Sequence, residues 1–239
     1  MAKVAINGMG RIGRAALKII LETRALELVA INELMALDNL VYLLKYDTVY
    51  GRYDKKVEIA GSDLVVAGKR YHSLSEKDPA RLPWGDLGVD IVFECTGVLT
   101  RKVDLEKHLQ AGAKRVILSA PIKGEDDIPM VVCCVNAPGA SCELVSCASC
   151  TTNCIAPVME VMERRIGVIK AIMTTIHAYT SSQAIVDGRA KKWLAEAGPG
   201  PPTWCLPPPA PPLPPLQQCR SSRANSTAWR YGLRFPPAP

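Results

Sequence analysis

Short apolar runs alternate with stretches of helical spacing over the first 148 positions of this chain. The runs predict strands over residues 3–7, 28–32, 56–59, 64–66, 91–94, 115–118, 130–134 and 143–145. Several are crowded with Val, Ile and Leu and alternate little, as strands covered on both faces do. Apolar positions recur with helical period over residues 11–23, 37–46 and 102–111. Strand–helix alternation of this kind implies an α/β, doubly wound, largely parallel sheet. Beyond it the pattern predicts a helix over 151–165 and a strand over 168–177, the start of an α+β region. The pattern then stops. Residues 197–239 hold 13 of the 19 prolines, and the run from Pro207 to Pro215 fits neither a helix nor a central strand. This Pro-rich tail is expected to be extended and disordered.

Composition adds bounds. Hydrophobic residues make up 48% of 239, enough for a core, and no run approaches the ~20 apolar residues of a membrane helix. The start of the chain leads straight into the first strand, so no signal peptide is expected. Nine cysteines without scaffold spacing point to a reducing, cytoplasmic setting. The net charge of +6 misleads: Arg220, Arg223, Arg230 and Arg234 stand in a tail without acids, which leaves +2 for residues 1–196. That near-neutral body carries no basic footprint for nucleic acid.

Two constellations carry chemistry. Gly8-Met9-Gly10-Arg11-Ile12-Gly13 matches G-x-G-x-x-G after a strand and at a helix start, the context that the dinucleotide fingerprint needs. Gly8 permits the tight turn, Gly10 lets backbone approach a pyrophosphate, and Gly13 lets helix pack on strand. Glu33 ends the second strand, where a carboxylate accepts from a ribose hydroxyl and repels a 2′-phosphate, so NAD is favoured over NADP. The second constellation is Cys150, at a predicted helix start, with His177 placed 27 positions later. A helix N-terminus and an imidazole both favour the reactive thiolate. An inert buried thiol and a half zinc site through Cys147-x-x-Cys150 are the alternatives, the latter lacking a completing ligand pair. His72 and His108 are expected at the surface.

These strings in this order resemble glyceraldehyde-3-phosphate dehydrogenases. The resemblance runs from Lys3 to about Leu194 and includes residues 6–14, 44–48, Glu94-Cys95-Thr96-Gly97, Ser119-Ala120-Pro121, 148–154 with Pro157, 177–180 and 186–188. It implies a Rossmann-type NAD-binding domain over 1–149, the N-terminal fragment of an α+β catalytic domain over 150–194, and a non-homologous tail over 195–239. It implies Cys150 as nucleophile and His177 as its base. Ser149, Cys150, Thr151 and Thr180 would hold substrate or inorganic phosphate. Gly8, Gly10, Arg11, Ile12, Gly13, Glu33, Lys77, Thr96, Gly97 and Ser119 would contact NAD, and no metal is implied. The implied activity is a glycolytic, phosphorylating, NAD-linked oxidation of glyceraldehyde 3-phosphate. An erythrose-4-phosphate dehydrogenase or a non-catalytic NAD-binding fragment is the alternative. Family members are homotetramers whose interfaces lie largely in the sheet that is not recognisable here, which puts assembly of this chain in question.

The chain departs from the family's pattern at Cys134, Cys147 and Arg189, where Gly, Asn and Pro are usual. Cys147 could pair with Cys150 on oxidation. In the tail, codons built from the last base of one codon and the first two of the next permit Asn-Leu-Val-Pro-Thr-Thr-Thr-Gly-Ala around Trp204 and Cys205. From Arg220 to Trp229 they permit Glu-Leu-Gln-Gly-Lys-Phe-Asp-Gly-Met. Both strings resemble the family's continuation at this distance from the cysteine, so a single base lost near codons 195–197 is the expected origin of an out-of-frame tail.

Overall fold

A computed structural model describes residues 1–124, 127–139, 141–178 and 180. The expected tail, Arg189 and the 186–188 string lie outside the described residues. Two compact units divide the chain. The first, Met1–Glu160 among the described residues, holds one eight-stranded sheet.

The chain enters through β1 (Ala2–Asn7), α1 (Arg11–Glu22), β2 (Leu26–Asn32) and α2 (Leu37–Lys45). A small hairpin comes next, β3 (Tyr46–Asp47) and β4 (Gly51–Arg52), then β5 (Val57–Ala60), β6 (Asp63–Val66) and β7 (Lys69–Leu74). The rest is β8 (Ile91–Glu94), α3 (Lys102–Gln110), β9 (Arg115–Leu118), β10 (Leu144–Ser146) and α4 (Cys150–Arg165). The order across the sheet is β10-β9-β8-β1-β2-β7-β6-β5. Every pairing from β10 to β7 is parallel, and β6 and β5 add an antiparallel edge.

Both faces are covered, which is why the strands read as apolar runs. Val4 and Ile6 pack with Leu17 and Ile20 of α1 and with Leu40 and Leu44 of α2. Ala5 faces the other way, with Ala30, Val92 and the fully buried Trp84. Val116 is in register with Val92 and packs on Leu105 of α3, so α3 covers this second face. Burying one such Leu side chain is worth roughly 1.5–3 kcal/mol. The pairing partners run Val4↔Leu28, Ala5↔Ala30 and Ile6↔Ile31, so Val29 is an extra residue, a bulge. It explains why the inward residues Leu28 and Ile31 are three apart rather than two.

The doubly wound α/β class is as the pattern predicted, and most elements fall within two residues of their expected bounds. Three expectations need correction. Residues 130–134 make only the Met130↔Ser146 bridge and then turn. Val132 O accepts from Val135 N (3.1 Å) and Asn136 N (3.2 Å), which folds the segment back before a ladder can extend. Residues 168–177 carry no strand: Ile172 is 98% exposed, and no neighbouring strand offers this segment a ladder among the described residues. His108 is not at the surface but fully buried. Leu105 and His108 are three apart on α3, so one helical face carries both inward.

The second unit begins at Val161 with the last turn of α4. That helix ends where Gly167, at φ +78°, donates to Met162 O and Glu163 O, and Val168 N donates to Glu163 Oε2 at 3.0 Å.

Candidate functional site

Strand order reverses between β1 and β8, so a crevice opens at their carboxyl ends, where open parallel sheets take ligands. The loop of residues 8–13 leaves β1 there. Gly8 has φ +91° and is pressed against the turn that follows β8: a Cβ on it would lie 2.7 Å from Thr96 N. A Cβ on Gly13 would lie 2.0 Å from Gly8 O. Gly10 differs, since a Cβ there would meet nothing within 4 Å. The loop is therefore closed toward the sheet and open toward the crevice at Gly10. Arg11 and Ile12 stand exposed in the first turn of α1, whose leading N–H groups have no intrahelical acceptor.

The other expected NAD contacts line the same edge. Glu33 comes directly after β2, and its carboxylate accepts from Met9 N at 2.6 Å and Met35 N at 3.0 Å. A carboxylate has about four lone-pair positions, so acceptor capacity remains for a ribose. Lys77 comes after a reciprocal clamp in which Asn32 Nδ2 donates to Glu76 O and Glu76 N donates to Asn32 Oδ1, both at 2.8 Å. Thr96 and Gly97 are exposed after β8, and a Cβ on Gly97 would meet nothing within 4 Å. Ser119 comes directly after β9 and donates its N–H to Glu94 O at 2.9 Å. The donors, the open glycines and the carboxylate fit a dinucleotide.

Beneath this edge lies a buried polar chain that periodicity could not reveal. Trp84 Nε1 donates to His108 Nδ1 at 3.0 Å, so the ring proton sits on Nε2, which donates to Glu94 Oε2 at 3.0 Å. Asn7 Nδ2 donates to the same Glu94 oxygen at 2.6 Å, and Asn32 Nδ2 donates to Asn7 Oδ1 at 2.7 Å. The other Glu94 oxygen accepts from Thr96 N at 2.8 Å and from the Thr96 hydroxyl. Glu94 and His108 are fully buried, and this pairing fixes the Thr96 backbone against Gly8. Neither Asn7 nor Glu94 stood out in the sequence as support for the loop; each ends an apolar strand with a polar residue, the one local signal available.

Asp47 is a second unforeseen support. Its carboxylate binds Arg11 Nη1 at 2.5 Å and accepts from Val49 N and Tyr50 N. The Arg11 guanidinium, then the Tyr50 and Val49 N–H groups, hold this carboxyl well below the usual carboxylate range. A lowered folded-state value means that the stabilisation is whole above the unfolded carboxylate value near pH 4 and fades only as pH falls below it. Asp47→Asn should therefore flatten the acid limb of a stability–pH curve below about pH 4 and leave its shape above about pH 6 unchanged, as urea melts at each pH would show.

The cysteine turn lies on the same sheet edge, after β10. Ala148 is buried at φ +58°, an uncommon setting for a residue other than Gly. Its N–H donates to Ser146 Oγ at 3.0 Å. Ser149 caps α4, its Oγ accepting from Thr152 N at 3.1 Å, and Cys150 opens the helix exposed. Thr151 is next in the first turn, half-buried. Asn153 Nδ2 ties the turn down through Cys147 O (2.7 Å) and Ser149 O (2.9 Å). Burial pushes the Cys147 thiol up, and the Cys95 thiol up to about 11. Cys147 is a free thiol. His177 and Thr180 belong to the second unit, where both are exposed; His177 Nδ1 lies 2.6 Å from Ala178 O. No group of three or more metal-ligating side chains occurs among the described residues, nor does a helix long and apolar enough to cross a membrane.

Comparison with known proteins gives matches over two stretches of the chain. Residues 2–102 match the family model described as glyceraldehyde 3-phosphate dehydrogenase, NAD binding domain. Residues 149–198 match the corresponding C-terminal domain. The chain is 48% identical over 201 residues to a glyceraldehyde-3-phosphate dehydrogenase of Chlamydia pneumoniae, covering 82% of this chain and 59% of the relative. It is 48% identical over 194 residues to one of Kluyveromyces lactis, covering 80% and 58%. A cytosolic one of Trypanosoma brucei brucei is 44% identical over 198 residues, covering 82% and 59%. The chain thus spans less than two thirds of the length of these curated relatives.

Proposed function

This chain belongs to the glyceraldehyde-3-phosphate dehydrogenase family, and from that premise we propose that its first unit binds NAD and presents Cys150 as an acyl-carrying nucleophile. One observation carries the reading: the open glycine loop and the capped start of α4 share one carboxyl edge of a single sheet. Gly10, Arg11, Ile12 and Gly13 would take the pyrophosphate on the α1 N-terminus. Glu33 would accept from the ribose and disfavour a 2′-phosphate. Thr96, Gly97, Ser119 and Lys77 would complete the cofactor contacts. NAD, when bound, would supply the hydride acceptor.

In the reaction proposed for the family's full-length arrangement, the Cys150 thiolate adds to the aldehyde carbon of glyceraldehyde 3-phosphate. The positive end of α4 favours that thiolate, and the Cys150 N–H suits the oxyanion. His177 would take the hydroxyl proton as hydride departs. Inorganic phosphate, held by Ser149, Thr151 and Thr180, would open the resulting thioester to an acyl phosphate. Erythrose 4-phosphate is the competing substrate.

A second reading has its own support. Residues 168–178 are without regular structure and carry exposed Ile169, Ile172 and Ile176, so the chain as it stands would bind NAD without turnover. NADH formation from NAD, the aldehyde and phosphate separates the two. For the enzyme reading, Cys150→Ser should reduce turnover by about a thousandfold or more while NAD binding persists. NAD binding with no NADH from the unmodified chain would reject turnover and leave the cofactor-binding module. Turnover that survives Cys150→Ser would reject the assigned nucleophile.

A further inference from the structure

The segment expected to be a strand at 130–134 instead presents two adjacent thiols. Cys133 and Cys134 are both exposed, with their sulfurs 3.6 Å apart. The turn that carries them is fixed on each side. Val132 and Val135 are buried in a small cluster with Ala148 and Ala156. Asn136 Oδ1 accepts from Val132 N at 2.8 Å, and Asn136 Nδ2 donates to Met130 O at 2.9 Å. Cys134 has φ +66°, in the left-handed region that a residue with a Cβ seldom adopts. This backbone is thus held at a position whose exposed side chain lies against a second thiol.

The sulfur separation distinguishes what such a pair can do. A disulfide needs sulfurs about 2.05 Å apart and Cα atoms about 4.4–6.8 Å apart, whereas adjacent Cα atoms are held at about 3.8 Å. Closing this pair on itself would strain the turn. One centre bonded at about 2.3 Å to each sulfur instead spans the 3.6 Å gap with an angle of about 103°, close to tetrahedral. Two soft thiolates suit soft centres, and zinc and copper(I) sites are built that way. We propose that Cys133 and Cys134 form a chelating dithiol for a single thiophilic centre, a soft metal ion or a trivalent arsenical. The pair uses thiols other than Cys150 and does not depend on the NAD reading.

Phenylarsine oxide is the probe. Two arsenic–sulfur bonds form and the arsenic–oxygen bond breaks. The oxygen leaves as water with both thiol protons, and no oxidation state changes. The full chain is treated with one equivalent, then cleaved after glutamate, which separates residues 126–143 from 144–160. Mass spectrometry should find one phenylarsenic group on 126–143 in the unmodified chain and in Cys142→Ser. Cys133→Ser and Cys134→Gly should each lower the apparent affinity by about a hundredfold or more, because a single thiol loses the chelate advantage. Gly suits the positive φ at 134, so loss of the adduct in that variant is not loss of the fold. Arsenic found on 144–160 with 126–143 unmodified, or an adduct that survives Cys134→Gly, would overturn the proposal.

Discussion

Gly13→Ala is expected to destabilise the first unit by about 3 kcal/mol or more, a fall of roughly 10 °C in melting temperature. The added Cβ would sit 2.0 Å from Gly8 O and 3.0 Å from Gly8 C, both backbone atoms. Gly8 has nowhere to retreat. Its N–H donates to Asn32 O at 2.8 Å, and its own Cβ position is already closed by Thr96. Thr96 in turn is held by Glu94, which is held by Asn7 and His108. The strain of one methyl therefore spreads along a chain of buried polar contacts rather than relaxing at a side-chain tip. Urea or thermal melts would read it, and a change below about 0.5 kcal/mol would mean that the turn is softer than this packing allows.

Gly10→Val is expected to do the opposite: keep the fold and lose the cofactor. Gly10 precedes α1 at φ −67°, a value that any residue adopts, and its Cβ position is open. The valine would occupy the approach reserved for the pyrophosphate, and NAD affinity should fall by about a hundredfold or more. Two glycines of one six-residue motif thus separate packing from binding. Gly13 is expected to carry the fold and Gly10 the ligand, the separate roles that the fingerprint implies for them.

How much of this was legible depended on whether the cause was local. β1, α1 and β2 come from apolar runs and helical spacing, and the fingerprint was visible because its residues are contiguous. β7 escaped because Lys69-Arg70-Tyr71-His72 lacks an apolar run; its place is set by pairing with β2. The stretch expected as a strand at 168–177 is apolar, but a strand needs a ladder and none is present among the described residues. His108 was misplaced because its partners are a tryptophan from the loop before β8 and a glutamate of β8 itself, at sequence separations of 24 and 14. Asp47 was visible only as part of a matching string. Its grip on Arg11 across 36 positions is a tertiary fact.

On the proposed reading, the first unit binds NAD through the Gly8–Gly13 loop. Calorimetric titration of NAD and NADP into the full chain, beside Gly10→Val with its melting curve matched, tests it most directly. Saturable NAD binding at one site is expected, with NADP weaker by about tenfold or more because of Glu33, and no measurable NAD binding in an equally stable Gly10→Val. A folded chain that does not bind NAD, or a Gly10→Val variant that binds it as well as the unmodified protein, would contradict it.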